Sequence, residues 1–355
     1  MTTIYSFCAQ PNCSDGANPY GPLIQATDGS FYGTTTLGGI GAGTIFRITP
    51  EGTLTTLHSF VGYPTDGANP SGPLIQARDG NFYGTTAEGG AFGYCNSGCG
   101  TVFKITTRGI LTTLHSFAIA DGYSPTSSAL VQGADGSLYG TTPGGGASSN
   151  CGGLGCGTVF KITTRGTLTT LHSFAIADGN YPDGTLIQAT DGNFYGTTSC
   201  GGAYAGARGS CPIGSGTVFK ITPGGALTTV YSFCAQPTCS DGANPIAGLV
   251  QATDGDFYGT TEGGTNNGTV FSLSVGLSAF VRTLPTSGKV GTAVKILGTK
   301  LTGASSVSFN GTAAVFKVLS SSEITTTVPA GATTGTVQVV RPGGTLSSNV
   351  NFRVP

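Results

Sequence analysis

Five copies of one short sequence pattern constrain the fold of this chain more than any other feature. The segment LIQATDGSFYGTT at 23–35 returns with few changes, and its tyrosine recurs at Tyr32, Tyr83, Tyr139, Tyr195 and Tyr258. Each copy is followed by a glycine-rich loop and by GTVFKIT or a close variant, and the first four copies continue through a short turn into LTTLHSF or LTTVYSF. Self-similarity at intervals of roughly 50 to 60 residues indicates an array of equivalent supersecondary units.

Each unit is predicted to contain four β-strands, named a to d in chain order. LIQA is a short apolar run typical of a buried strand (a), and the DG after it signals a hairpin into FYGTT (b). GTVFKIT (c) and LTTLHSF (d) are rich in β-branched and aromatic residues. Five four-stranded units predict an all-β protein whose main body is a five-bladed β-propeller, with a solenoid as the alternative.

The two ends of the repeat array suggest how the propeller closes. The last unit ends at Leu273 in GTVFSL and has no strand d of its own, whereas the N-terminus begins with such a sequence, TTIYSF at 2–7. We therefore expect residues 2–7 to pair with residues 268–273 and to complete the last blade, which would cover an otherwise open sheet edge.

The order of these segments resembles NHL-type propeller repeats, and it is much closer to the tandem GloVer (Gloeo-Verruco) repeat family. The run DGANPxGPLIQATDGNFYGTTxxGG…GTVFKITPxGxLTTLHSF covers residues 2 to 275 almost without interruption. That resemblance implies a bacterial, exported, surface-associated protein without an established enzymatic activity.

Beyond about residue 276 the repeat stops and Val, Ser and Thr become frequent. Segments such as PTSGKVGTAVKILG and EITTTVPAGATTGTVQVV resemble an IPT/TIG domain, which implies an immunoglobulin-like β-sandwich. We expect a propeller domain at 1–276 followed by an IPT/TIG domain at 277–355.

The ten cysteines fall into five short-range pairs, each within one loop. Local pairing with no cysteine left over favours disulfides and an oxidising compartment over zinc ligation, because the sequence contains no CxxC. The expected disulfides are Cys8–Cys13, Cys95–Cys99, Cys151–Cys156, Cys200–Cys211 and Cys234–Cys239.

All the cysteines and all the insertions lie in the d–a and b–c loops, which leave a propeller blade on one face. Aromatic residues there could stack on the apolar faces of sugars or anchor a protein partner, although they could also pack over the disulfides. These candidates are Tyr20, Tyr63, Phe92, Tyr94, Tyr123, Tyr181 and Tyr204. A repeated aspartate lies in the same loops, either as a turn residue or as a ligand for sugar hydroxyls or Ca²⁺: Asp15, Asp66, Asp121, Asp178 and Asp241.

The composition argues against several other functions. A formal charge of −1 gives no electrostatic basis for nucleic-acid binding, and no apolar run is long enough to insert into a membrane. His58, His115 and His172 share one position in strand d that is Tyr5 or Tyr231 in the other copies, which indicates packing and hydrogen bonding. We find no catalytic constellation, and we expect no cofactor and no bound metal.

The sequence therefore predicts an extracellular or cell-surface protein that is not an enzyme and that binds or adheres to glycan or a surface protein. Two alternatives stay open. One is a self-assembling surface-layer or filament subunit, and the other is a polysaccharide-cleaving propeller enzyme, to be tested by reducing-sugar release with Asp183→Ala and Glu88→Ala.

Overall fold

The computed structural model of the chain describes every residue except 96, 126–128, 149–150, 152–153, 205–213 and 266. The chain forms two compact units. The first comprises Met1–Leu249 and Gly259–Phe271, and the second comprises Val250–Tyr258 and Ser272–Pro355. The second unit thus takes in residues 250–258 of the fifth repeat together with the C-terminal segment, and the domain boundary at 276/277 stays a prediction.

Repeats 1 to 4 each contain the predicted four strands, paired antiparallel in the order a–b–c–d. Repeat 1 consists of β2 (Ile24–Gln25), β3 (Phe31–Leu37), β4 (Thr44–Ile48) and β5 (Leu54–Ser59), with β1 (Ala17–Pro19) added to β3. Repeat 2 consists of β7 (Ile75–Gln76), β8 (Phe82–Thr86), β10 (Thr101–Ile105) and β11 (Leu111–Ser116), and β6 (Gly67–Ala68) pairs with β9 (Glu88–Gly89) beside it. Repeat 3 consists of β12 (Val131–Gln132), β13 (Leu138–Thr142), β14 (Thr158–Ile162) and β15 (Leu168–Ser173). Repeat 4 consists of β16 (Ile187–Gln188), β17 (Phe194–Thr198), β18 (Thr217–Ile221) and β19 (Leu227–Ser232).

Repeat 5 lacks its predicted fourth strand. Its sheet contains β20 (Val250–Gln251), β21 (Phe257–Thr261) and β22 (Thr269–Leu273), and residues 1–6, which are described, belong to no strand. The prediction that residues 2–7 pair with 268–273 is therefore not met in this structure.

Side-chain contacts within the first repeat explain where the N-terminal segment lies instead. Phe7 packs edge-on against Phe46 with 4.9 Å between ring centroids, and the hydroxyl of Tyr5 donates to Asp15. The same edge-on contact joins the strand d phenylalanine of each repeat to the strand c phenylalanine of the next, in Phe60–Phe103, Phe117–Phe160, Phe174–Phe219 and Phe233–Phe271. The segment thus makes the inter-repeat packing of a strand d without its backbone pairing.

The first and last repeats expose surfaces that the middle repeats bury. Leu23 of repeat 1 is 49% exposed, whereas Leu74, Leu130 and Leu186 at the same strand a position are buried. Val270 on β22 is 80% exposed, whereas Val102, Val159 and Val218 are completely buried.

The glycine of the YGTT motif is required by the packing of each sheet. A Cβ on Gly140 would lie 2.6 Å from Cζ of Phe160 and 2.9 Å from Cδ2 of Leu130, and the other four YGTT glycines have equivalent neighbours. In repeats 2 to 4 both neighbours are buried, so the core of each of these repeats closes only around a residue without a side chain.

The glutamine of strand a joins neighbouring repeats. Nε2 of Gln132 donates to the carbonyl of Gly136 in its own a–b turn, and Oε1 accepts the backbone N–H of Arg78 in the preceding repeat. Gln76 and Gln188 form the same two bonds. Each of these side chains fixes one repeat against the next.

The second unit is an immunoglobulin-like sandwich of two antiparallel sheets over the core of Val281, Ile296, Val307, Ile324 and Val339. One sheet contains β23 (Arg282–Leu284), β24 (Ala293–Leu297), β28 (Glu323–Thr327) and β27 (Phe316–Val318). The other contains β26 (Thr312–Ala314), β25 (Ser306–Phe309), β29 (Val337–Arg341) and β30 (Gly344–Ser347).

Helical structure in the described residues comprises the 3-10 turns Pro11–Cys13, Gly93–Cys95 and Pro237–Cys239. None of the described helical segments has the length and apolar content needed to cross a bilayer.

Candidate functional site

The d–a and b–c loops meet at one end of every repeat, and we call their combined surface the loop face. The d–a loops are residues 8–23, 60–74, 117–130, 174–186 and 233–249, and the b–c loops are 38–43, 87–100, 143–157, 199–216 and 262–268. Antiparallel bridges join the two loops of repeats 2 to 5 at Ala68–Glu88, Tyr123–Gly144, Asn180–Cys200 and Ala243–Gly263. In repeat 1, Ala17 of the d–a loop pairs with Leu37 at the end of β3, next to the b–c loop. The structure therefore brings together the loops that vary most in length.

Four of the predicted disulfides are present in these loops: Cys8–Cys13, Cys95–Cys99, Cys151–Cys156 and Cys234–Cys239. Cys211 lies outside the described residues, so the predicted Cys200–Cys211 bond is not described. The four bonds are what a protein of an oxidising compartment is expected to contain.

The repeated aspartates of the loop face bind internal partners. In each d–a loop the carboxylate accepts a hydrogen bond from the histidine or tyrosine of the preceding strand d, at 2.7–2.9 Å. The pairs are Tyr5–Asp15, His58–Asp66, His115–Asp121, His172–Asp178 and Tyr231–Asp241. Backbone N–H groups that follow strand d complete the arrangement, such as those of Val61 and Gly62 on Asp66.

The pKa of Asp15 shows how strongly this arrangement holds the charged form. Burial opposes ionisation, but the hydrogen bonds from Tyr5 and from the N–H groups of Ala9 and Gln10 outweigh it and keep the pKa below its ordinary value. These carboxylates stabilise the d–a loops by bonding them to the end of strand d. Among the described residues, no three His, Cys, Asp or Glu side chains are grouped as a metal site would require.

Most of the predicted aromatic residues are exposed on the loop face. Tyr20 is 78% exposed, and the other exposed rings are those of Tyr63, Phe92, Tyr181 and Tyr204. Tyr123 is half-buried because its ring packs on Gly144, and the backbone of Tyr94 lies in the 3-10 turn Gly93–Cys95, while its side chain is outside the described part. By contrast, the YGTT tyrosines of repeats 1 to 4 are fully buried.

A shallow apolar groove lies on the loop face of repeat 1. It has a volume of about 660 Å³ and is lined by Asn12, Cys13, Ala17, Leu37 and Ile40 together with neighbouring glycines. The Cys8–Cys13 loop forms one side, and the short b–c loop forms the other.

Sequence reasoning did not identify one polar contact on the loop face of repeat 4. Asp183 lies 2.9 Å from the hydroxyl of Ser199, and the backbone carbonyl of Ser199 accepts a hydrogen bond from Asn244 of the next loop. Burial raises the pKa of Asp183, and the hydrogen bond from Ser199 opposes that shift. Asp183 interrupts the repeat pattern, but nothing in the sequence indicates that Ser199 is its neighbour.

At the end of each sheet opposite the loop face, the a–b turn aspartate forms hydrogen bonds within its own repeat. Each a–b turn aspartate accepts the hydroxyl of the YGTT tyrosine, as in Asp135 and Tyr139 at 2.9 Å, and Lys161 also pairs with Asp135 at 2.8 Å. Burial raises the pKa of Tyr32 to about 12, helped by its bond to Asp28. The a–b turn aspartates are therefore engaged within the repeats.

Comparison with known families gives two matches. The Gloeobacter/Verrucomicrobia repeat matches residues 1–207 and 146–313, and the IPT/TIG domain matches residues 279–354. Comparison with curated proteins gives no significant match.

Several solved structures are similar to the chain at low identity. A gluconolactonase from Xanthomonas campestris is 12% identical with a TM-score of 0.42, covering 89% of this chain and 87% of that chain. A luciferin-regenerating enzyme is 12% identical with a TM-score of 0.43, covering 73% and 78%. A protein of unknown function from Bacteroides thetaiotaomicron is 15% identical with a TM-score of 0.40, covering 94% and 70%. Similarity at this level does not extend to function.

Proposed function

The chain belongs to the Gloeobacter/Verrucomicrobia repeat family and contains an IPT/TIG domain at 279–354, and on that basis we propose that it is an exported, non-catalytic protein that binds glycan through its loop face. A surface protein is the alternative ligand. The observation that supports this function is the exposure of Tyr20, Tyr63, Phe92, Tyr181 and Tyr204 on loops braced by disulfides and aspartates. Rigid aromatic rings bind sugar faces or partner side chains at little entropic cost.

Pull-down on insoluble polysaccharides and a glycan array test this proposal. We expect the full chain to be retained and the combined replacement of Tyr20, Tyr63 and Tyr181 by Ala to reduce retention at least tenfold, with an unchanged melting temperature. Retention of the triple variant at the wild-type level would remove the loop face as the binding surface.

We also propose that the five sheets are the blades of one propeller and that its first and last blades meet. The exposed Leu23 and Val270 support this, because the equivalent residues of the middle repeats are buried between neighbours. Residues 2–7 would then pair with β22 in the register of Val218 with Tyr231, which places Tyr5 opposite Val270.

Hydrogen–deuterium exchange tests the closure. The β22 amides that do not face β21 should be protected in the full chain and should exchange freely after deletion of residues 1–7. Concentration-dependent protection of these amides, with growing particle mass in light scattering, would instead support the filament role. Lack of protection of these amides in both proteins would contradict closure.

Hydrolysis of polysaccharide is the second candidate function, because a carboxyl with a raised pKa such as Asp183 is what a general acid requires. Release of reducing sugar by the wild type, lost in Asp183→Ala but retained in Glu88→Ala, would establish it. The absence of release on substrates that the protein binds would leave the binding function.

A further inference from the structure

The d–a loop that enters repeat 4 carries a carboxyl at a position where other repeats have none. The residue after the loop proline is Asp183 in repeat 4, and it is Tyr20, Ser71 and Ile246 in repeats 1, 2 and 5. Oδ2 of Asp183 contacts Ser199, and no hydrogen bond to its other oxygen is formed by the described residues. The Asp183 side chain is half-buried, so part of it remains open to solvent.

The Ser199 hydroxyl engages one oxygen of Asp183. It donates to Oδ2 of Asp183 at 2.9 Å and lies 3.3 Å from the carbonyl oxygen of Tyr181. A carboxyl group offers two acceptor oxygens, so Asp183 can also accept hydrogen bonds from the hydroxyl groups of a neutral sugar.

Tyr181 holds an exposed ring at a backbone position that rarely accepts one. Its φ is +54°, and the corresponding residues of repeats 1, 2 and 5 are Asn18, Asn69 and Asn244, with φ between 53° and 58°. Asparagine tolerates the left-handed region, whereas a bulky residue is disfavoured there. The ring is nevertheless 46% exposed, so burial in a core does not account for it.

The backbone around these two side chains is fixed. The carbonyl of Tyr181 accepts the N–H groups of both Asp183 and Ser199, each at 2.9 Å. Just beyond Asp183, the hydroxyl of Thr185 accepts the N–H of Ala129 from the preceding repeat. A loop tied to its own repeat and to its neighbour presents the ring and the carboxyl without the cost of ordering a mobile segment.

We infer that Tyr181 and Asp183 form a subsite for one neutral hexopyranose residue of a glycan, with the ring stacked on a sugar face and the carboxyl bound to sugar hydroxyls. The inference rests on the proposed glycan-binding function and names its ligand class. An anionic sugar is disfavoured in the subsite because its carboxylate would lie beside the carboxyl group of Asp183.

Isothermal titration of the full chain with cellohexaose, mannohexaose and laminarihexaose tests the inference, with a galacturonate hexamer as the anionic comparison. Tyr181→Asn and Asp183→Ser introduce residues that other repeats carry at these positions, so both variants should keep the wild-type melting temperature. We expect each to weaken binding of the preferred neutral hexaose roughly fivefold to tenfold. Tyr20→Ile, which copies repeat 5 at the position of Asp183, tests whether the loop face of another repeat contributes to the same binding.

The outcomes separate this inference from the proposed function. Wild-type affinity in both repeat 4 variants, with weakened binding in Tyr20→Ile, would overturn the subsite and leave the loop face as the glycan-binding surface. Tighter binding of the galacturonate hexamer than of every neutral hexaose would also overturn the subsite. If the wild type bound neither neutral nor anionic hexamers, the proposed glycan-binding function would fail together with it.

Discussion

Replacement of Gly140 by alanine is expected to destabilise the repeat unit by overpacking. The new Cβ would lie 2.6 Å from Cζ of Phe160 and 2.9 Å from Cδ2 of Leu130, distances that require both neighbours to move. Phe160 and Leu130 are buried, so neither can move into solvent. Overpacking of this kind costs about 1–3 kcal/mol, which corresponds to a lower melting temperature by roughly 2 to 12 °C in a domain of this size class.

Differential scanning calorimetry and urea unfolding measure the effect, and Gly224→Ala is the matched control. Gly224 is exposed in a c–d turn, its φ is not left-handed, and the nearest atom to an added Cβ is 3.8 Å away. We expect this control to change the free energy of unfolding by no more than about 0.5 kcal/mol.

The double variant Gly140→Ala, Phe160→Leu tests directly whether overpacking against Phe160 causes the destabilisation. A smaller residue at 160 removes the atoms that the new methyl group meets, so the two substitutions together should cost less than the sum of their separate effects. Strict additivity, or a Gly140→Ala protein as stable as the wild type, would refute the packing argument for the YGTT glycine.

Four further outcomes follow from the ionisable groups. Burial opposes ionisation of Asp135, but hydrogen bonds from Lys161 and Tyr139 outweigh it and hold the pKa of Asp135 below its ordinary value. The stabilisation is therefore present above the ordinary carboxyl pKa and is lost as the pH falls through the lowered pKa. Asp135→Asn should destabilise the protein at pH 7, and its effect in urea titrations should shrink as the pH falls through that range. Burial raises the pKa of Asp183, so its ionisation opposes folding as pH rises; Asp183→Asn should be more stable than the wild type at pH 7 and equal to it in acid. Burial raises the pKa of Tyr231 to about 12, so its contribution is complete below pH 10 and disappears towards pH 12; Tyr231→Phe should flatten the alkaline melting profile over that range. His115→Tyr should preserve the melting temperature because Tyr231 makes the same bond to Asp241, whereas His115→Ala should lose about 1–3 kcal/mol in urea unfolding.

The repeat explains why much of the fold was predictable from the sequence. Strand identity, strand order and the local disulfides depend on residues close together in the chain, and five copies report the same pattern. The interchange of His115 with Tyr231 likewise predicted hydrogen bonding, and both side chains bond a loop aspartate.

The contacts made by residues that depart from the repeat pattern were not predictable from the sequence. The N-terminal segment has the sequence of a strand d, yet Tyr5 and Phe7 are held by side-chain contacts that do not require strand pairing. Asp183 and Ser199 come from different loops whose lengths vary, so no periodicity places them together. Sequence pattern specifies the scaffold, whereas a site built from unlike residues depends on loop geometry.

The glutamine that bonds both its own turn and the preceding repeat has a consequence for how such chains change length. Gln132 contacts backbone atoms on both sides and so needs no particular side chain from its neighbour. Each repeat therefore carries the glutamine that bonds it to the preceding repeat. Gene duplication or deletion can change the number of repeats without requiring new side chains where two repeats meet.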